Sequence, residues 1–163
     1  MTSPSAHAIS QYATTGNLSA RIAVHAFGTN PQDWFSWLGE RLPLPGRILE
    51  VGAGTGALWS RIPAPPELTL TDFSRAMCER LRAIPGATVR QCDATELPFT
   101  DDCFDTVIAN HMLYHLDDPD AALAEFARVL RPGGRVAIAL NGADHMAELN
   151  LIGPAIGRND LHL

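Results

Sequence analysis

The sequence predicts an α/β fold, a doubly wound Rossmann-like parallel sheet with the strand order 3-2-1-4-5. From Arg47 onward, short apolar runs alternate with segments of helical periodicity. Strands that alternate with helices form a parallel sheet covered on both faces, and right-handed crossovers restrict its strand order. A glycine-rich segment, residues 52–56, directly follows the first apolar run. Such a segment is typical of the turn at which these sheets bind a ligand.

Five strands are predicted from apolar runs that are bounded by turn residues. In chain order they cover residues 48–51, 68–71, 88–92, 104–109 and 135–140. The pair Gly133-Gly134 is expected to form the turn into the fifth strand.

Helices are predicted before and between the strands. Two precede the sheet, at residues 19–27 and 31–42, and Pro31 suits the first turn of the second. A short helix at 56–62 ends before Pro63. The helix at 74–84 is capped by Ser74.

The last helix of the core gives the clearest pattern. It is predicted from the N-cap Asp118 to Pro132, with Pro119 at its first position. Its predicted apolar face consists of Leu123, Phe126, Ala127 and Leu130.

The chain is expected to have three parts. Residues 1–46 form an N-terminal helical cap, and residues 47–141 form the Rossmann-like core. Residues 142–163 form a short C-terminal helical tail, with a helix at 144–152.

Composition predicts a globular protein that does not bind nucleic acid. The 163 residues carry a net charge of −6, and 46% of them are hydrophobic. Nucleic-acid-binding proteins usually have a basic stripe, and no basic run occurs here. No apolar stretch approaches the ~20 residues that span a bilayer, so no membrane association is predicted.

Cysteine usage and the N-terminal sequence predict a cytoplasmic location. The three cysteines, Cys78, Cys92 and Cys103, form no C-x-x-C pair. Neither a disulfide framework nor a metal site is therefore expected. The N-terminus lacks the charged start and apolar run of a signal peptide.

The glycine segment predicts a nucleoside-containing cofactor but leaves two classes open. Gly52, Gly54 and Ala57 fit the dinucleotide pattern G-x-G-x-x-G/A, so NAD remains an alternative. Gly56 and Glu50 extend the pattern to E-x-G-x-G-x-G. The carboxylate of Glu50 would repel a pyrophosphate, which argues against the dinucleotide.

Two further motifs follow in order. Residues 91–99 contain the pair Asp93-Ala94 after a strand, and residues 130–135 read Leu-Arg-Pro-Gly-Gly-Arg. Together with E-x-G-x-G-x-G, these motifs make the region 48–141 resemble the class I S-adenosylmethionine-dependent methyltransferases. The resemblance is to the small-molecule, methyltransferase type 11-like branch of that family.

The resemblance implies an activity, a cofactor and a substrate class. The cofactor would be S-adenosyl-L-methionine, with S-adenosyl-L-homocysteine as its product. The methyl group would pass by in-line displacement to a small-molecule acceptor. The loop backbone at Gly52, Ala53, Gly54 and Gly56, with Glu50 beside it, would lie along the methionine part and adenosine.

Asp72 ends the second strand, 20 residues after Gly52. A carboxylate at that edge can accept hydrogen bonds from both ribose hydroxyls, and the resemblance implies this role. The alternative is that Asp72 is the N-cap of the next helix, although Ser74 could serve instead. Phe73 and Met77 are expected to form an apolar wall against adenine.

Asp93 and Ala94 are predicted to read the adenine edge. The Asp93 carboxylate would accept from the exocyclic amine, and the Ala94 N–H would meet a ring nitrogen. By the resemblance, Asn110 after the fourth strand meets the amino group of the cofactor. The alternative for Asp93 is a solvated loop residue.

His111 and His115 are the candidate catalytic bases, because histidine titrates near neutral pH. Structural roles for both stay open. Tyr12 and Arg21, in a segment that often folds over the cofactor in this family, could reach its carboxylate. Surface positions for these two are equally compatible with the sequence.

The sequence departs from the family after the fifth strand. Members usually continue with a helix and two more strands, and residues 142–163 leave no room for that strand pair. A homodimer that covers the open edge of the sheet is one expectation. The alternative function is a truncated or non-catalytic S-adenosylmethionine-binding domain that acts through a partner subunit.

Overall fold

The computed structural model describes residues 30–42 and 44–142. Its elements are α1 (Trp34–Gly39), β1 (Ile48–Val51), β2 (Leu68–Asp72), α2 (Arg75–Leu81), β3 (Thr88–Gln91), β4 (Phe104–Asn110), α3 (Pro119–Val129) and β5 (Leu130–Ala139). Single 3₁₀ turns, Leu58–Ser60 and Leu113–His115, follow β1 and β4. The predicted helices at 19–27 and 144–152 lie outside the described residues.

The five strands form one parallel sheet in the order β3-β2-β1-β4-β5. This confirms the predicted fold class and strand order. β1 lies at the centre, and all four of its residues are buried. Because the strands are parallel, the carboxyl ends of β1 to β4 and the loops that follow them share one edge, which we call the carboxyl rim.

Helices cover both faces of the sheet. On one face, α3 packs against alternate residues of β1 and β4: Leu49, Val51, Val107 and Ala109. On the other face, Leu38 of α1 and Leu81 of α2 pack with Ile48, Leu70 and Ile108. Since side chains alternate along a strand, Glu50 shares the second face with Ile48.

The buried face of α3 differs from the prediction. Ala122, Phe126 and Val129 are buried, whereas Leu123 is exposed. The buried face of α3 is therefore rotated by about one residue from the predicted one, so that Ala122 rather than Leu123 faces the sheet. Leu130 does not belong to the helix, because its backbone is already extended.

Two other helices are shorter than predicted. α1 begins after Asp33, whose side chain accepts from the N–H groups of Phe35 and Ser36, so Pro31 lies outside the helix. The segment 56–62 contains only the 3₁₀ turn Leu58–Ser60. Ser74 caps α2 as predicted, with its side chain accepting from the Met77 N–H.

β5 begins earlier than predicted. It starts at Leu130, directly after α3, and contains Pro132 and Gly133. Leu130 is opposite Phe104, and a register shift separates this pair from the regular pairing that begins at Arg135. The predicted turn at Gly133-Gly134 is thus an irregularity within a strand.

β5 forms one edge of the described sheet. Its outer positions Val136 and Ile138, with Leu140 just beyond the strand, are exposed large hydrophobic residues. Their spacing of two places them on one face. Within the described residues, no helix is long and apolar enough to cross a membrane.

Candidate functional site

The glycine loop after β1 has a backbone that favours glycine. Gly52, Gly54 and Gly56 have φ values of 68°, 57° and 74°. A Cβ atom on Gly52 would lie 2.8 Å from the Cβ of Met112, and one on Gly56 would lie 2.5 Å from the Cδ1 of Ile84. The loop therefore packs more closely against its neighbours than a side chain would allow.

Asp72 holds this loop in place. Its Oδ2 accepts from the Gly54 N–H at 2.9 Å, and its Oδ1 accepts from the Ser74 N–H at 2.8 Å. Ser74, rather than Asp72, is the N-cap of α2. Burial raises the pKa of Asp72, and the two N–H donors partly offset that effect. Each carboxylate oxygen still has a second lone pair for a ligand hydroxyl.

Glu50 is a buried carboxyl group directly before the loop. It is 3% exposed; its Oε2 lies 2.5 Å from Trp59 Nε1 and its Oε1 lies 3.1 Å from Asn110 Nδ2. Burial raises its pKa to about 7, although both hydrogen bonds oppose that shift. Asp72 contributes a smaller repulsive effect in the same direction.

Asn110 ends β4 and carries a polar atom that no described residue satisfies. Its Nδ2 donates to Glu50, while its Oδ1 is buried without a hydrogen-bond partner among the described residues. An unpaired buried acceptor costs about 1–3 kcal/mol. Such an atom at the carboxyl rim indicates a place where a ligand donor binds.

Asp93 and Ala94 follow β3 at the same rim. β2 and β3 are neighbours, and the Cys92 N–H donates to the Asp72 carbonyl at 3.3 Å. Oδ1 of Asp93 accepts from both the N–H and the hydroxyl of Thr95, at 2.9 and 2.8 Å. Ala94 is buried beside it.

The two residues predicted to form an apolar wall have different environments. Phe73 is 54% exposed at the end of β2, so its ring is accessible to a ligand. Met77, in α2, is fully buried. Of these two residues, only Phe73 is accessible to a ligand at the rim. Met77 is therefore not part of the predicted apolar wall.

His111 directly follows Asn110 and has a left-handed backbone. Its φ is 52°, its N–H donates to the Ala139 carbonyl at 2.9 Å, and its ring lies 5.4 Å from that of Trp34. Histidine tolerates this conformation better than most residues. His115 ends the 3₁₀ turn, and its ring lies edge-on to Tyr114 at 4.5 Å.

Sequence reasoning missed Trp59 and Met112. Trp59 donates to Glu50, and Met112 packs against Gly52. Both contacts join separate segments at the rim, and no local pattern indicates them. Tyr12 and Arg21, the predicted carboxylate contacts, lie outside the described residues.

A comparison with protein-family models identifies the family of this chain. A family model described as a methyltransferase domain matches residues 49–138, which is more than half of the chain. The chain belongs to the class I S-adenosylmethionine-dependent methyltransferase family.

Individual members of the family are similar over the core. A ubiquinone/menaquinone biosynthesis C-methyltransferase of Desulfotalea psychrophila is 40% identical over 99 residues, which are 57% of this chain and 40% of that protein. Among solved structures, a methyltransferase of Thermotoga maritima, a possible histamine N-methyltransferase, is 27% identical. It has a TM-score of 0.63, and the match covers 80% of this chain and 60% of that one.

A second solved structure is similar in fold but is named for a different reaction. The cyclase SpnF is 30% identical with a TM-score of 0.56, and the match covers 64% of this chain and 43% of SpnF. The chain thus spans between two fifths and three fifths of the length of these three relatives.

The residues at the rim fit the cofactor that gives the family its name. The buried Asn110 Oδ1 is an acceptor for an ammonium group, and Asp72 retains acceptor capacity for hydroxyl groups. Burial disfavours the ionised forms of Glu50 and Asp72, and a cationic sulfonium compound at the rim would favour those forms. Within residues 30–42 and 44–142, no cluster of His, Cys, Asp and Glu could hold a metal ion.

Proposed function

We propose that this chain binds S-adenosyl-L-methionine at the carboxyl rim and transfers its methyl group to a small-molecule acceptor by in-line displacement. The observation that carries the proposal is the buried Oδ1 of Asn110, which has no partner in the part of the chain that the structure describes. An ammonium group of the cofactor would supply the missing donor. A charge-assisted hydrogen bond of this kind contributes about 1.5–3 kcal/mol.

Other residues at the rim would make the remaining contacts with the cofactor. The loop at residues 52–56 would lie along the methionine part, Asp72 would accept from the ribose hydroxyls, and Phe73 would stack on adenine. Asp93 would accept from the adenine amine with its Oδ2, because its Oδ1 already accepts from Thr95. The Ala94 N–H would donate to the ring.

The protein mainly supplies proximity and orientation. When bound, S-adenosyl-L-methionine supplies a methyl group on a sulfonium that is already strongly electrophilic. Holding the acceptor in line with it is worth several kcal/mol of the barrier. His111 would remove a proton from an acceptor that must lose one, and His115 is the second candidate.

Calorimetric titration of the chain with S-adenosylhomocysteine and with NAD tests the binding part. We expect binding of S-adenosylhomocysteine and none of NAD. The Asn110→Ala variant should bind S-adenosylhomocysteine about tenfold or more weakly. Equal binding of NAD, or binding of neither compound, would contradict the proposal.

The alternative is a domain that binds the cofactor without methyl transfer and acts through a partner subunit. One observation favours keeping it: SpnF, which is similar in fold, is named a cyclase. Incubation with methyl-labelled cofactor and a panel of metabolites separates the two. Label transfer to an acceptor supports the enzyme; binding without transfer supports the alternative.

We also infer that a second copy of the chain covers the exposed face of β5, in a cytoplasmic homodimer. Val136, Ile138 and Leu140 form an apolar stripe on an edge strand, and edge strands readily pair with another chain. Sedimentation should give a dimer for the wild type and a monomer for Ile138→Lys. Thr88→Lys, on the opposite edge strand β3, should leave the dimer intact. A monomeric wild type would contradict this inference.

A further inference from the structure

Three side chains from separate segments form a buried hydrogen-bonded chain behind the carboxyl rim. Trp59 Nε1 lies 2.5 Å from Glu50 Oε2, and Asn110 Nδ2 lies 3.1 Å from Glu50 Oε1. Glu50 is 3% exposed, and Trp59 is also buried. The remaining polar atom of these side chains, Asn110 Oδ1, is the one without a partner among the described residues.

The chemistry of these groups fixes the direction of each bond. An indole N–H can only donate, and an ionised carboxylate can only accept. Since burial raises the pKa of Glu50 to about 7, Glu50 is ionised above that pH and there requires the nitrogen side of the Asn110 amide to face it. The oxygen side must then face away from Glu50. The binding experiments that test this orientation are therefore made at about pH 8 or above.

We propose that Glu50, held by Trp59, is a positioning residue that fixes the Asn110 amide with its oxygen toward the amino group of the bound cofactor. This inference rests on the proposed function, because it concerns the same cofactor site. It adds that the carboxylate acts through Asn110 and that the Trp59 indole supplies the second donor to that carboxylate.

The substitution Glu50→Gln would reverse the orientation of Asn110. Because the Trp59 N–H can only donate, it would donate to the oxygen of the introduced amide. The NH₂ group of that amide would then face Asn110. Asn110 would then turn its oxygen to that donor and its own NH₂ group toward the cofactor. Two donors would meet, and the hydrogen bond to the ammonium would be lost.

Two ligands and three variants test this inference by calorimetry. S-adenosylhomocysteine carries the amino group, whereas 5′-methylthioadenosine has the same nucleoside without the amino-acid part. Glu50→Gln should lower the affinity for S-adenosylhomocysteine at least tenfold and change the affinity for 5′-methylthioadenosine by no more than about twofold. Trp59→Phe alone should have a small effect, because Glu50 still accepts from Asn110.

The double variant Trp59→Phe with Glu50→Gln gives the decisive result. Without the indole donor, the introduced amide can rotate and present its oxygen to Asn110, so affinity for S-adenosylhomocysteine should return to within about threefold of Trp59→Phe. If loss of the Glu50 charge alone weakened binding, the double variant would bind as weakly as Glu50→Gln. That result, or equal weakening of both ligands, would overturn the inference.

A measurement on the wild type covers the case in which a variant does not fold. With S-adenosylhomocysteine bound, the Trp59 indole hydrogen and the Asn110 amide hydrogens should show a nuclear Overhauser contact, because they point at one carboxylate. Its absence would overturn the inference even where the ligand binds. Absence of any ligand binding to the wild type would instead contradict the proposed function.

Discussion

The carboxylate of Asp72 at the end of β2 holds the backbone N–H of Gly54 in the loop that follows β1, at 2.9 Å. Since the same carboxylate also accepts from the Ser74 N–H, it fixes two neighbouring segments of the rim. The side chain predicted to bind ribose therefore also builds the loop against which the cofactor would lie.

Asp72→Asn should release one of these two backbone amides. An asparagine has one oxygen and one NH₂ group, so only one of the two N–H groups keeps an acceptor. We expect hydrogen exchange of the Gly54 or the Ser74 amide to quicken about tenfold or more, because a lost bond is worth roughly 1–3 kcal/mol. S-adenosylhomocysteine should bind more weakly. Unchanged protection of both amides would contradict the prediction.

Asp93→Asn is the control for Asp72→Asn, because it should leave the stability of the folded protein unchanged. Both bonds from Thr95 end on Oδ1, which asparagine retains, so the free energy of unfolding should change by less than about 0.5 kcal/mol. Affinity for S-adenosylhomocysteine should nevertheless fall about tenfold, because an NH₂ group would replace the oxygen that faces adenine. Unchanged affinity in calorimetry would remove Asp93 from the site.

Gly52→Ala should destabilise the protein more than Gly86→Ala. Both glycines have positive φ, 68° and 77°, so both variants share a cost of about 1–2 kcal/mol. A Cβ on Gly86 meets nothing within 4 Å, whereas one on Gly52 meets Met112 at 2.8 Å. Overpacking adds roughly 1–3 kcal/mol. Urea unfolding measures the difference, and equal costs would show that the Met112 contact relaxes freely.

His111→Asn should lower the methylation rate without weakening cofactor binding. Asparagine tolerates the left-handed backbone at φ 52°, so the change removes the imidazole and keeps the local fold. For an acceptor that must lose a proton, loss of a general base costs roughly 100-fold or more. The rise of rate with pH should disappear as well. A larger loss in His115→Asn would assign the role to His115.

The stability of the protein should depend on the protonation of Glu50. Burial raises the pKa of Glu50 from 4.5 to about 7, so its favourable contribution is complete below pH 4.5 and is lost as the pH rises through 7. The free energy of unfolding of the wild type, relative to Glu50→Gln, should fall by about 3 kcal/mol over this range. Denaturant titrations at several pH values measure it. Parallel pH profiles would show that the pKa of Glu50 is the same in the folded and the unfolded protein.

The sheet was predictable because its signals are local. Apolar runs, Pro-Gly pairs and the glycine segment each indicate an element or a turn without reference to the rest of the chain. The strand order then follows from general rules of connection. The predicted buried face of α3 was wrong by one residue. Leu123 and Ala122 both fit an apolar helical stripe, and only packing against the sheet decides which of them is buried.

Four of the predicted site residues share one rim because each lies at or just beyond the carboxyl end of a parallel strand. Glu50, Asp72, Asp93 and Asn110 all come from carboxyl ends, so the spacing of strands in the sequence was sufficient to bring them together. The indole of Trp59, the burial of Met77 and the contact of Met112 depend on packing between distant segments. No periodicity in the sequence reports such contacts.

The contact of Met112 with Gly52 and the hydrogen bond from the Gly54 N–H to Asp72 join groups of the protein to one another. A cleft whose walls hold one another in this way spends little entropy on ligand binding, and its contacts through Asn110, Asp72 and Asp93 would not by themselves distinguish a methyl donor from its demethylated product. Both compounds share the groups that Asn110, Asp72 and Asp93 would contact. If the proposed methyl transfer takes place, the demethylated nucleoside would therefore compete with fresh cofactor for these contacts until it leaves the site.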